Sequence, residues 1–115
     1  MKKVSVIVPV YNAQNFLEKC IESLTQQTLE EIELIFVNDG STDQSLQILE
    51  TYQKRFSDKM MVYSKENGGQ ASARNLGIAK SHGEYIGFID ADDYVDVNMY
   101  GAMYEKAKEE SSDYV

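Results

Sequence analysis

Cysteine is nearly absent: Cys20 stands alone, which excludes an internal disulfide and fits a reducing compartment. Proline is equally scarce, and with 43% apolar residues the composition excludes intrinsic disorder. Positive charge is in short supply, with 11 Lys and Arg against 19 Asp and Glu and a formal net charge of −8. That balance excludes nonspecific nucleic-acid binding, which needs a basic patch. It also means that a phosphate-bearing ligand would need a counter-cation. No apolar run approaches the roughly 20 residues of a membrane span. The opening MKKVSVIVPVYN imitates a signal peptide, but its apolar run is short, is closed by Pro9 and Tyr11, and lacks a small-residue cleavage site. Two nucleotide motifs are missing as well. No G-x-G-x-x-G follows the first apolar run, and no Lys-Ser/Thr follows the later glycines, so neither a dinucleotide dehydrogenase nor a Walker loop is indicated. The expected location is the cytoplasm, with room for a peripheral position at the inner membrane face in the full protein. At 115 residues the chain is one domain or a piece of a larger one.

What is present alternates. Val4–Val10 is a nearly continuous apolar run, the pattern of a strand buried on both faces. Phe16, Leu17, Cys20, Ile21 and Leu24 then recur at helical spacing, with Asn12 placed to cap the start. Residues 32–37 predict a second strand. STDQ (41–44) reads as a capping box ahead of a helix with Leu46, Leu49, Tyr52 and Phe56 on one face. Residues 60–64 give a weaker third strand, and 69–83 a helix rich in small residues that Gly83 is placed to end. Residues 84–89 predict a fourth strand, 96–111 a last helix, and Asp113–Val115 the beginning of a fifth strand. This order predicts an α/β fold, a Rossmann-like, mostly parallel sheet flanked by helices. Such sheets bind ligands outside the carboxyl ends of their strands. There the polar clusters fall: YN after the first strand, NDGSTD after the second, DADD after the fourth.

Three carboxylates within four positions, Asp90, Asp92 and Asp93, repel one another unless a cation neutralises them. A solvated loop is the bland alternative. In an extended segment Asp90 and Asp92 share a side with Asp93 opposite, and two convergent carboxylates suit Mg²⁺ or Mn²⁺ shared with a diphosphate. An EF-hand is excluded, because the sixth position from Asp90 is Val95 and the twelfth is Gly101. In VNDGSTD, an Asp-Gly turn and a cap explain Gly40 and Ser41 but not Asn38 and Asp39, and Asp39 at a strand end can accept an N–H from a planar base. Tyr11 is either a core aromatic or a ring that stacks on that base. NGGQASARN (67–75) puts glycines before a helix start, where free backbone N–H groups favour anions, with Arg74 one turn inside. Gly77 within that helix is reasonable if the helix packs close to the sheet. His82 reads as a surface residue near a helix end, with no partner to suggest catalysis, and Cys20 as core.

In order and spacing, VSVIVPVYNA, VNDGSTD and NGGQASARNLGIAKSHGEYIGFIDADD resemble the N-terminal half of the family 2 glycosyltransferases of GT-A fold. The resemblance runs from about Val4 to Tyr94. It implies a nucleotide-sugar donor, commonly UDP-linked, and transfer of the sugar to an acceptor hydroxyl with inversion. It implies that Tyr11 stacks on the base, that Asp39 bonds its edge and that Arg74 helps hold the nucleotide. The nucleotide-binding set expected on this basis is Pro9, Tyr11, Asn12, Asp39, Asn67, Arg74, Asp90 and Ala91. Asp90 and Asp92 match the D-x-D pair that holds Mn²⁺ or Mg²⁺, with Asp92 the direct ligand and Asp93 a third candidate. In the family the acceptor pocket and catalytic base follow the matching stretch. Residues 1–115 are therefore expected to be the N-terminal donor-binding part of a truncated GT-A domain, inactive alone, with the base beyond Val115. The full protein would take a saccharide or lipid-linked acceptor, as in polysaccharide biosynthesis, and an uncovered sheet edge in the fragment would favour a homodimer. The rival readings are a nucleotidyl- or phosphotransferase, which lacks a triphosphate-holding loop here, and a nucleotide-sugar-binding module without chemistry. A receiver domain is weaker still, since its acids cluster after the first strand.

Overall fold

The computed structural model describes residues 2–110. The fifth strand expected at 113–115 lies outside them. The order is β1 (Val4–Val10), α1 (Leu17–Thr25), β2 (Ile32–Asp39), α2 (Ser45–Arg55), β3 (Met60–Lys65), α3 (Gln70–Lys80), β4 (Tyr85–Phe88) and α4 (Met99–Glu110). The four strands form one sheet in the order β3-β2-β1-β4, and every neighbouring pair is parallel. The two central strands are buried along their whole length. β3 and β4 are the outer strands, and their weaker apolar patterns follow from that position.

Alternation along the strands builds two cores. Val4, Val6, Val8 and Val10 of β1, with Leu34 and Phe36 of β2, face α1, α2 and α4. Ile7, Ile35 and Val37 face the opposite side, where α3 covers them through Ala73 and Leu76. Gly77 is what lets α3 lie so close, because a Cβ there would come within 2.5 Å of Ile7 Cγ2. Gly77→Ala is expected to cost about 1–3 kcal/mol through overpacking, in spite of alanine's better helix propensity. Urea unfolding measures this, and an unchanged midpoint would show that the helix lifts without penalty.

Several local expectations change. Asn12 does not cap α1, whose N-cap is Phe16 without a side-chain cap bond; Asn12 instead adopts a left-handed φ of 48°. The capping box at 41–44 does not form either, and α2 begins after Gln44. The buried face of α2 is Ser45, Leu49 and Tyr52, with Ile48 and Phe56 packed beside them, rather than one that includes Leu46. Phe16 is not core: it is 57% exposed. α3 ends at Lys80, before Gly83, whose N–H donates to Ser5 Oγ at 2.7 Å. His82 is an exposed surface residue, as expected. Its backbone N–H and its ring both meet buried Glu33 of β2, which also accepts the Ser5 hydroxyl at 2.5 Å. That buried carboxylate and its donors pin the entrance of β4 to the central strands.

Candidate functional site

The chain runs outward from β1 through β2 to β3, then returns to the other side of β1 for β4. The reversal leaves a crevice at the carboxyl ends of β1 and β4, the place where open α/β sheets bind ligands. A cavity of about 510 Å³ sits there, lined by Pro9, Tyr11, Asn12, Ala13, Phe16, Asp39, Asn67, Gly69, Gln70, Asp90, Ala91 and Asp92. That volume falls in the range of small-molecule sites.

Two loops form one wall by interlocking. Asn12 Oδ1 accepts the Thr42 N–H at 2.8 Å, while the Asn12 N–H donates to Ser41 Oγ at 3.0 Å. The Ala13 N–H donates to Ser45 Oγ at 2.9 Å, and the Gln44 N–H to Gln14 Oε1 at 2.9 Å. Asp43 accepts from the N–H groups of Gln14 and Ser45. Burial works to raise the Asp43 carboxyl, but these bonds and one from the Ser45 hydroxyl outweigh it and hold the pKa below its ordinary value. The lacing leaves the ring of Tyr11 on the cavity wall, 53% exposed, so it is not a core aromatic. Asn38 ties neighbouring segments together, since its side chain accepts from the Ser41 N–H and donates to Ser64.

Asp39 lies 3% exposed at the end of β2. Its Oδ1 accepts from the Gly68 N–H at 2.9 Å and from Lys65 Nζ at 3.0 Å, and its Oδ2 accepts from the Gly69 N–H at 3.0 Å. The two glycine N–H groups expected to be free for a ligand anion are therefore taken by the protein's own carboxylate. Burial pushes the Asp39 pKa up, but the Gly68, Lys65 and Gly69 hydrogen bonds and the Lys65 charge pull it below 3.8. Asn67 completes the junction by donating to the Asp39 carbonyl at 3.0 Å. Gly40, at φ 71°, allows the approach, since a Cβ there would come within 2.7 Å of Asn67 N.

The acidic cluster is a turn, not an extended segment: the Asp93 N–H donates to the Asp90 carbonyl at 3.0 Å. The turn brings all three carboxylates, Asp90, Asp92 and Asp93, within 4.8 Å of one another, so Asp93 is not turned away as alternation predicts. Three exposed hard-oxygen donors at this spacing fit Mg²⁺ or Mn²⁺. Asp90 Oδ1 also accepts from Gln70 Nε2 at 3.1 Å and faces an Arg74 guanidinium nitrogen at 3.8 Å. Arg74 does not line the main cavity. With Phe88, Asp93 and Tyr94 it borders a second hollow of about 330 Å³ on the far side of Asp90. Behind the turn, Cys20 Sγ lies 3.9 Å from the Asp90 carbonyl. Burial, then the charges of Asp93, Asp92 and Asp90, push its thiol up to about 12, so it stays protonated and inert.

Phe16, Lys65 and Gln70 are contributors to the site that the sequence did not single out. Phe16 hides in a helical apolar pattern, and Lys65 and Gln70 carry no motif of their own. Lys65 closes β3 in the structure, one residue beyond the 60–64 expected for that strand.

The family model for Glycosyl transferase family 2 matches residues 5–115, and this chain belongs to that family. It is 49% identical over 112 residues to the uncharacterized glycosyltransferase EpsJ of Bacillus subtilis (strain 168), covering 97% of this chain and 32% of EpsJ. Its fold is similar to that of S. aureus TarS 1-349 in complex with UDP, with a TM-score of 0.85 and 33% identity over 93% of this chain and 32% of that one. It is also similar to the mannosyltransferase PcManGT from Pyrobaculum calidifontis in complex with GDP-Man and Mn²⁺, with a TM-score of 0.75 and 26% identity over 80% of this chain and 28% of that one. The chain spans 32% of the length of EpsJ and 16% of that of the glycosyltransferase GlyA of Streptococcus pneumoniae serotype 4 (strain ATCC BAA-334 / TIGR4). Among the described residues, no helix is long and apolar enough to cross a membrane.

Proposed function

We propose that this chain is the donor-binding half of an inverting, metal-dependent glycosyltransferase that takes a UDP-linked sugar. The observation that carries the reading is the single cavity that gathers Tyr11, Asp39, Asn67, Asp90 and Asp92 from the ends of four strands. The Tyr11 ring offers a face for a base, Asp39 an acceptor for its N–H edge, and the acidic turn a seat for a divalent cation at the diphosphate. Once bound, that cation offsets the charge accumulating on the departing nucleoside diphosphate, as a Lewis acid does. Arg74 shares Asp90 with Gln70, and its charge beside the acidic turn would favour the same phosphates. UDP in one TarS structure and Mn²⁺ with GDP-Man in PcManGT support the donor class and the cation.

The ionisable side chains on the cavity wall are Tyr11, Asp39, Asp90 and Asp92, and all four serve the donor or its cation. The base that takes the acceptor proton therefore belongs to the rest of the enzyme. In isolation the chain binds donor and transfers nothing. UDP release from a panel of UDP-sugars tests this. The 115-residue chain should release no more than a trace, while a polypeptide of the relatives' full length should release UDP when given an acceptor. Tighter binding of nucleoside triphosphates than of UDP would instead favour a nucleotidyltransferase.

A further inference from the structure

We propose that Lys65 is a positioning residue that sets base selectivity, by keeping Asp39 an acceptor-only carboxylate on the cavity wall. The inference rests on Asp39 as the base contact and adds the residue that decides which bases it accepts.

The two residues are register partners at the carboxyl ends of β3 and β2, so the sheet itself brings them side by side. Lys65 Nζ lies 3.0 Å from Asp39 Oδ1, with the two side chains 21% and 4% exposed. A second bond from Nζ, to the Glu66 carbonyl at 2.6 Å, fixes the ammonium. Gly68 leaves it room, because a Cβ there would approach Nζ to 2.8 Å. A carboxylate offers about four acceptor positions. The Lys65 ammonium and the Gly68 N–H use both of those on Oδ1, and the Gly69 N–H uses one on Oδ2. One position on Oδ2 remains for a ligand.

While Asp39 is ionised, that position takes only a donor. Uracil presents an N3–H there and fits. Cytosine presents a bare N3 and would set lone pair against lone pair. Lys65 supplies the only charged side chain bonded to Asp39 among the described residues. The other contacts, from Gly68, Gly69 and Asn67, are neutral, and the remaining ionisable groups on the wall are Tyr11, Asp90 and Asp92. Without the ammonium, burial favours the protonated acid, which donates and no longer rejects cytosine.

The test compares UDP and CDP binding to the 115-residue chain in excess Mg²⁺, from neutral to mildly acid pH and above the range in which cytosine N3 itself takes a proton, for the wild type, Lys65→Met and Lys65→Arg. Both ligands carry the same diphosphate, so their ratio cancels the titration of the acidic turn and of the phosphates. Wild type should prefer UDP by at least about tenfold, with a ratio that does not change with pH. Lys65→Met should lose roughly that factor, most of all toward acid, and Lys65→Arg should restore it. An unchanged ratio in Lys65→Met, or an equal fall in Lys65→Arg, overturns the inference while leaving the donor site intact. A folded wild type that holds neither nucleotide overturns the donor reading and this inference with it.

Discussion

Asp92→Asn should abolish metal-dependent UDP binding while leaving the fold unchanged. Asp92 is exposed and has no bonding partner among the described residues, so its loss removes no packing. It is also the one carboxylate of the acidic turn that lines the main cavity without a protein partner, since Asp90 is engaged by Gln70 and faces Arg74. Residues that merely support a metal ligand are typically worth roughly 10- to 100-fold in metal affinity, so a direct ligand should cost at least about 100-fold. Asp93 borders the second hollow, and Asp93→Asn should cost less. Calorimetry with Mn²⁺, paired with circular dichroism, reads binding and fold separately. If Asp92→Asn binds UDP as wild type does, with the same response to Mn²⁺, then the three acids are a solvated turn.

Asp39→Ala should be damaging twice over. The variant leaves the Lys65 ammonium and the N–H groups of Gly68 and Gly69 without their acceptor. Removing one partner of a buried ion pair costs about 3–5 kcal/mol, and the partial exposure of Lys65 places this case at the lower end. The loop that ends in the first turn of α3 should loosen with it, and UDP affinity should fall below detection even where the variant is folded. Asp39→Asn keeps the shape but brings an amide toward Lys65, so it should be more stable than Asp39→Ala while still binding UDP poorly. The pH dependence follows from the depressed pKa of Asp39. The stabilisation is fully present above the ordinary 3.8 and is lost only as pH falls through the lower folded value. The stability gap between wild type and Asp39→Asn should therefore hold in neutral and mildly acid solution and close in strongly acid solution, where the wild type loses its advantage. An Asp39→Ala protein that melts and binds UDP like wild type would remove Asp39 from the account.

The sheet could be read from sequence because the physics there is local. A run such as Val4–Val10 has no polar face, so it must be sandwiched, and alternation with helical segments then dictates parallel strands. The same logic placed Tyr11, Asp39 and the acidic cluster on one rim. What could not be read depended on contacts between distant segments. Asn12 looks like a helix cap until Thr42, far along the chain, claims its side chain. The Gly68 and Gly69 N–H groups look free until Asp39 occupies them. Asp93 looks opposed to Asp92 only if the chain stays extended, and the hydrogen bond closing the turn reverses that. Phe16 has core chemistry and a helical position, yet it sits where α1 begins and faces the cavity.

In the proposed donor site one cavity holds a uridine diphosphate through a cation on the acidic turn. Calorimetric titration of UDP into the wild-type chain, once with Mn²⁺ and once with EDTA, tests it most directly. One saturable site is expected with Mn²⁺, and affinity at least about tenfold weaker in EDTA. Equal affinity in both buffers would separate the carboxylates from the ligand. No binding by a folded chain in either buffer would contradict the donor site altogether.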